Sequence, residues 1–115
     1  MILPPIRSSE LAETHAVYLL DITPELPWFR GHFPGHPVLP GLVQVEWARL
    51  LCERDLKPWG GFQGLRSVKF QRLVKPGMTL CLRLALKEDR VDWRLSVDED
   101  NGPLCSSGLI LFGAP

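Results

Sequence analysis

The sequence predicts an α+β domain in which an antiparallel β-sheet wraps around one long central α-helix. Three observations predict it. One segment, beginning near Pro40-Gly41 and running to about Leu56, is apolar around most of a helical circumference. Everything after it alternates with the two-residue period of strands and is cut by turn residues. One further strand precedes it, across a stretch too rich in proline and glycine to be regular.

The first strand is read over Ala12 to Ile22, where Val17-Tyr18-Leu19-Leu20-Asp21-Ile22 is rich in β-formers. Thr23-Pro24-Glu25-Leu26-Pro27 breaks it. Residues 28–40 contain Gly31, Gly35, Pro34, Pro37 and Pro40, so they form a loop; Trp28, Phe29 and Phe33 within it require that loop to be ordered. Pro40 suits a first helical turn, where its missing N–H costs nothing. Leu42, Val43, Val45, Trp47, Ala48, Leu50, Leu51 and Cys52 then make the helix apolar nearly all round, as in a buried helix roughly 24 Å long. Lys57-Pro58-Trp59-Gly60-Gly61 ends it. Leu65 to Val74 reads as a strand, closed by Lys75-Pro76-Gly77. Met78 to Leu86 places Met78, Leu80, Leu82, Leu84 and Leu86 on one face. Lys87 to Arg90 is a polar turn, and Val91 to Val97 is the next strand. Asp98-Glu99-Asp100-Asn101-Gly102 is a hairpin turn carrying the strong Asn-Gly signal, and Leu104 to Phe112 is the last strand. A second copy of the domain would cover whatever apolar helix surface one sheet leaves open.

The 115 residues suit a single domain, 1–115. With 45% hydrophobic and 23% charged residues the composition is that of an ordinary soluble globular protein. Thirteen basic and thirteen acidic side chains cancel, which argues against a nucleic-acid binder. Cys52, Cys81 and Cys105 are odd in number, widely spaced and without a C-x-x-C pair, so reduced buried thiols in a cytoplasmic protein are expected. The N-terminus lacks the pattern of a signal peptide, and no apolar run approaches the ~20 residues of a membrane span.

Chemistry is concentrated in Gly31-His32-Phe33-Pro34-Gly35-His36-Pro37-Val38-Leu39-Pro40-Gly41, followed by Glu46 on the helix. Prolines fix φ and glycines permit unusual backbone, so the segment is a stiff, specifically bent loop delivering a histidine to a helix start. Alone, His32 reads more often as a structural histidine. Glu46, Arg49 and Glu53 at i, i+3, i+7 also fit an ordinary charged stripe with internal pairing. His32 and His36 suggest a metal site only weakly, since no third ligand lies nearby.

This segment resembles the signature of the FabA/FabZ family of (3R)-hydroxyacyl-acyl carrier protein dehydratases. That family shows G-H-F-P-G-x-P-x-x-P-G with an acidic residue fourteen positions after its histidine, and here Glu46 follows His32 by 46 − 32 = 14. A glutamate there resembles the FabZ-like branch. Val68-Lys69-Phe70-Gln71-Arg72-Leu73-Val74-Lys75-Pro76-Gly77 is similar to the family's K-F-x-R-x-V-x-P-G strand and turn. The order of elements agrees from Ala12 to Phe112. The family often continues its helix as E-A-M-A-Q, whereas this chain has Glu46-Trp47-Ala48-Arg49-Leu50, without the glutamine that helps hold water near the acid. The tryptophan after the acid resembles dehydratases of aryl-polyene clusters.

The resemblance implies a hotdog fold and dehydration of a 3-hydroxyacyl thioester, in fatty acid or related acyl-chain (for example aryl polyene) biosynthesis. It implies His32 as base for the C2 proton, Glu46 as acid for the departing hydroxyl, and the Gly41 N–H at the positive end of the helix dipole as donor to the thioester oxygen. A glutamate inside an apolar helix is expected to hold a proton at neutral pH because burial disfavours its charged form. Phe33, Val38, Leu42 and Trp47 are the candidate walls of a substrate tunnel. The implied partners are an acyl carrier protein bearing the substrate and a second copy in a homodimer or dimer-based higher oligomer, with no metal and no dissociable cofactor. Arg66, Lys69, Arg72 and Lys75 offer a basic patch for the acidic carrier, or simply a solvated strand face. A hotdog acyl thioesterase and a non-catalytic hotdog partner subunit are the competing readings; the G-H-F-P-G loop argues against the first, and retention of both His32 and Glu46 against the second.

Overall fold

The computed structural model describes residues 1–30 and 35–114. Six strands form one sheet: β1 (Ile6–Leu11), β2 (His15–Asp21), β3 (Gly61–Phe70), β4 (Thr79–Leu86), β5 (Arg90–Val97) and β6 (Leu104–Gly113). Their order across the sheet is β1-β2-β4-β5-β6-β3, with every neighbour antiparallel. The helix α1 (Gly41–Asp55) lies against one face, approaching β4 and β6. One α-helix among the described residues, held by a long antiparallel sheet, is the hotdog arrangement, as expected.

Register explains which side chains meet the helix. Rows of partners cross the sheet: Tyr18 with Leu82 and then Leu95, and Ala16 with Leu84 and then Trp93. All six are buried, because alternate residues of each strand point to the same face. The second row ends on Gly108, opposite Trp93. The Trp93 ring occupies the space where a side chain at 108 would stand: a Cβ built there meets ring atoms at 2.5 and 2.7 Å. Trp93 also donates its indole N–H to Ser106 Oγ at 3.3 Å, which satisfies a buried polar pair. Gly108→Ala is therefore expected to cost about 1–3 kcal/mol of unfolding free energy, since the ring cannot move without disturbing a packed core; urea unfolding followed by far-UV circular dichroism measures it.

Helix α1 buries Val43, Gln44, Val45, Trp47, Ala48, Leu51 and Cys52. Its C-terminal end is fastened by Tyr18, whose hydroxyl donates to Asp55 Oδ2 at 2.6 Å, while Arg54 pairs with the same carboxylate at 2.9 Å. The Arg54 contact, with help from Tyr18, holds the Asp55 carboxyl below the usual carboxylate range. The three cysteines are free and buried, and burial pushes the Cys52 thiol up to about 12.

Three expectations change. The first predicted strand is β2, and β1 precedes it. Strand β1 reads IRSSEL, is exposed for all but its first residue and forms a sheet edge, so it carries no core-facing alternation to read. Strand β3 begins and ends four residues before the predicted Leu65–Val74. Gly61 and Gly64 conceal its start, and irregular register between Phe62 and Gly64 and between Arg66 and Lys69 breaks its pattern. Val74 is buried because it supports the loop, its carbonyl accepting the Leu39 N–H at 2.8 Å. Finally, α1 is not apolar all round: it turns Leu42, Glu46, Arg49 and Glu53 away from the core.

Candidate active site

The polyproline segment enters α1 through Pro40, extended at φ −58° and ψ 141°. No side chain caps the helix start and no acidic residue lies in its first turn. The positive end of the dipole at Gly41 is thus left for an incoming acceptor. Glycine at 41 has a steric reason as well. The Phe70 ring from the end of β3 lies over it, and a Cβ there would come within 2.6 Å of the ring edge.

Two ties hold the segment in place. Leu39 N–H donates to Val74, and the Gln44 amide reaches back to the Leu39 carbonyl at 3.4 Å. Beside it a cleft of about 440 Å³ is lined by His36, Pro37, Val38, Leu73, Lys75 and Pro76, among others. Val38 is therefore on a cavity wall, and His36 and Lys75 stand at the same cavity. Lys69 lies elsewhere, on a depression with Arg94 and Asp92 at the sheet.

His32 and Phe33 lie outside the described residues. Glu46 is one turn and a half into α1, on its outward side. Its carboxylate accepts from Arg49 through Nη2 at 2.6 Å and Nε at 3.2 Å, and Arg49 Nη1 reaches Glu53 at 3.0 Å. Both Glu46 and Arg49 side chains are 26% exposed. The charged stripe that spacing allowed is formed, and Glu46 stands in an ion pair rather than among apolar atoms alone. The Glu46 hydrogen bond, more than any other contact, pushes Arg49 above the usual guanidinium range.

Leu42 is 70% exposed at the head of the same outward face. Trp47 is 1% exposed, sits edge-on to Trp28 with centroids 5.7 Å apart, and donates its N–H to the Ile2 carbonyl at 3.0 Å; it is part of the core. Phe70 belongs to the K-F-x-R stretch, but nothing local in the sequence says that this strand end folds over the helix start. Arg49 is not marked out either, because i, i+3 charge spacing is the commonest pattern on any solvated helix. Among the described residues no three His, Cys, Asp or Glu side chains converge as metal ligands would.

Known proteins match this arrangement over most of the chain. Residues 8–109 match the ApeI-like family, described as ApeI dehydratase. The structure described as the dehydratase heterocomplex ApeI:P from Xenorhabdus doucetiae superposes with a TM-score of 0.87 at 34% identity, covering 96% of this chain and 97% of that one. A 3-hydroxyacyl-acyl-carrier-protein dehydratase FabZ from Thermomicrobium roseum is 37% identical over 84% of this chain and 71% of its own length. Another FabZ, from Acetivibrio thermocellus, is 42% identical over 74 residues, which is 58% of this chain and 51% of that protein. The chain belongs to the ApeI-like family of dehydratases.

Proposed function

We propose that the protein is a (3R)-3-hydroxyacyl-carrier-protein dehydratase that forms a trans-2-enoyl thioester in the building of a fatty acid or related acyl chain such as an aryl polyene. Its likeness over nearly the full chain to a protein described as part of a dehydratase complex carries this reading. In the proposed reaction His32 takes the C2 proton and Glu46 gives a proton to the C3 hydroxyl. The C2–H electron pair becomes the C2=C3 bond as C3–O breaks, and water leaves. The Gly41 N–H donates to the thioester oxygen, where negative charge gathers as the C2 proton departs; an uncapped helix start suits that task. Phe33, Val38 and Leu42 are proposed walls of the acyl slot, with Trp47 behind them in the core.

The protein works as a dimer in this proposal. Strand β3 is an edge strand of ten residues, and Phe62, Leu65, Phe70, Leu73 and Leu42 remain exposed on and beside it. A long apolar edge is a liability unless paired. The partner is a second copy or, in the manner of the Xenorhabdus heterocomplex, a different subunit. No helix among the described residues is long and apolar enough to cross a membrane, and a cytoplasmic place of action is proposed.

Incubation with a 3-hydroxyacyl-carrier protein, read by mass spectrometry, tests the function. Loss of one water from the acyl group is expected. Release of free thiol without dehydration would mark a thioesterase, and an unchanged acyl group in the presence of any partner subunit would mark a non-catalytic chain.

A further inference from the structure

Helix α1 carries an arrangement that the dehydration scheme above does not use. Arg49 is held on three sides. Its guanidinium makes a paired contact with Glu46, a second paired contact with Glu53, and lies 5.8 Å from the centroid of the Phe62 ring on β3. A long side chain on a solvated helix face normally keeps its rotamer freedom; here two carboxylates and an aromatic face remove it. Arg49 also stands where the helix motif E-A-M-A-Q has alanine, and Leu50 where it has glutamine. The polar group beside the acid is thus a cation one residue earlier.

We propose that Arg49 is a positioning residue for the dehydration, fixing the rotamer of the Glu46 carboxyl group and facing the negative charge left there once its proton has gone to the departing hydroxyl. This rests on Glu46 being the acid. In the elimination the Glu46 O–H bond breaks as the C3–O bond breaks, the proton leaves in the water, and the electron pair stays on the carboxylate. The guanidinium already bonds both carboxylate oxygens, so the anion forms in a site built for it. Glu53 takes the other edge of the fork and keeps Arg49 from turning away. His32 ends with the C2 proton, and one proton passed back to Glu46, directly or through water, resets the pair.

A plain helix stripe makes different predictions. Pairs at i, i+3 and i, i+4 contribute about 0.2–0.5 kcal/mol each and have no bearing on turnover. Under that reading Arg49 and Glu53 are equivalent. Under ours they are not.

Steady-state kinetics of the full chain, with its partner subunit if one is required, separates the two, using a 3-hydroxyacyl-carrier protein as substrate. Arg49→Met keeps the length and apolar stem. It is expected to lower kcat at least about tenfold with KM within about twofold, because Arg49 touches the acid rather than the substrate and its contact with Glu46 matters most as the carboxylate takes up its charge. Arg49→Lys is expected to regain about a third or more of kcat, since it restores the charge without the fork. Glu53→Gln, which loosens the hold on Arg49 but leaves its charge beside Glu46, is expected to lower kcat by clearly less than Arg49→Met does. Arg49→Gln is the substitute if the methionine variant melts early by circular dichroism. A kcat within about twofold of the parent for Arg49→Met, or equal losses for Arg49→Met and Glu53→Gln, overturns the proposal. Glu46→Gln separates it from the reading beneath. A fully active Glu46→Gln removes Glu46 as the acid and Arg49's role with it, whereas an inactive Glu46→Gln beside an unaffected Arg49→Met sinks the Arg49 proposal alone.

Discussion

Glu46→Ala is expected to lower turnover by about 10²–10⁴-fold while changing the unfolding free energy by less than about 1 kcal/mol. The two effects separate because of where the residue stands. Its carboxylate is on the outward side of α1, and what it loses structurally is a surface pair with Arg49. An i, i+3 pair contributes about 0.2–0.5 kcal/mol even when half-buried like this one, and alanine is the better helix former. A proton donor to a leaving hydroxyl is another matter, since without it the C3–O bond must break to hydroxide. His32→Ala is expected to lose turnover to a similar degree, by removing the base for the C2 proton. If the two groups act in one elimination, the double variant is expected to be scarcely worse than either single one, because a step already disabled is not disabled twice. Single-turnover rates with 3-hydroxyacyl-carrier protein, beside urea melts of each variant, measure all of this. Turnover within about tenfold of the parent in either single variant removes that residue from the chemistry. Independent, multiplying losses in the double variant would place the two groups in different steps.

Legibility in the sequence followed burial. Strands β4, β5 and β6 and helix α1 were readable to within one or two residues, because each has core-facing positions at a fixed period: Leu80, Leu82 and Leu84; Val91, Trp93 and Leu95; Val43, Trp47 and Leu51. Elements lacking such a period were not. Strand β1 has polar residues on both faces, and β3 is broken by irregular register with Ser67 in the left-handed region at φ 56°. The tail of β3 was misplaced for a related reason. Val74 is buried in the core while its backbone ties down the loop at Leu39, and a sequence does not say whether an apolar residue serves a strand or a loop. The loop-to-helix motif was legible as a motif, since its prolines and glycines restrict the backbone whatever surrounds them. The state of Glu46 was not. Apolar neighbours along α1 suggested a carboxyl group stripped of water, but neighbours in sequence point around a helix in different directions. The residue that meets Glu46 is the one three positions on, Arg49.

Trp47→Ala is expected to cost about 3–5 kcal/mol, the largest loss of stability from one substitution in α1. The residue follows Glu46 directly but faces the other way: its indole is 1% exposed and packs edge-on against Trp28. Its N–H also ties the N-terminal segment down through the Ile2 carbonyl. Truncation to alanine would leave a void that Trp28, Leu51 and the strands cannot close without moving. Against a total of about 5–15 kcal/mol, a loss of this size removes a large share of the stability. Trp47→Phe keeps most of the ring contact and gives up only the N–H, whose partner is near the exposed terminus and can bond to water. It should cost less than half as much and leave kcat near the parental value. The pair of variants therefore distinguishes a core residue from a tunnel wall. A wall residue would shift acyl-chain preference in Trp47→Phe at unchanged stability, whereas the packing described here predicts altered unfolding at unchanged preference. Urea unfolding by far-UV circular dichroism, which does not depend on the tryptophans removed, decides it; a Trp47→Ala midpoint equal to that of the parent would show that the indole is not holding the helix to the sheet.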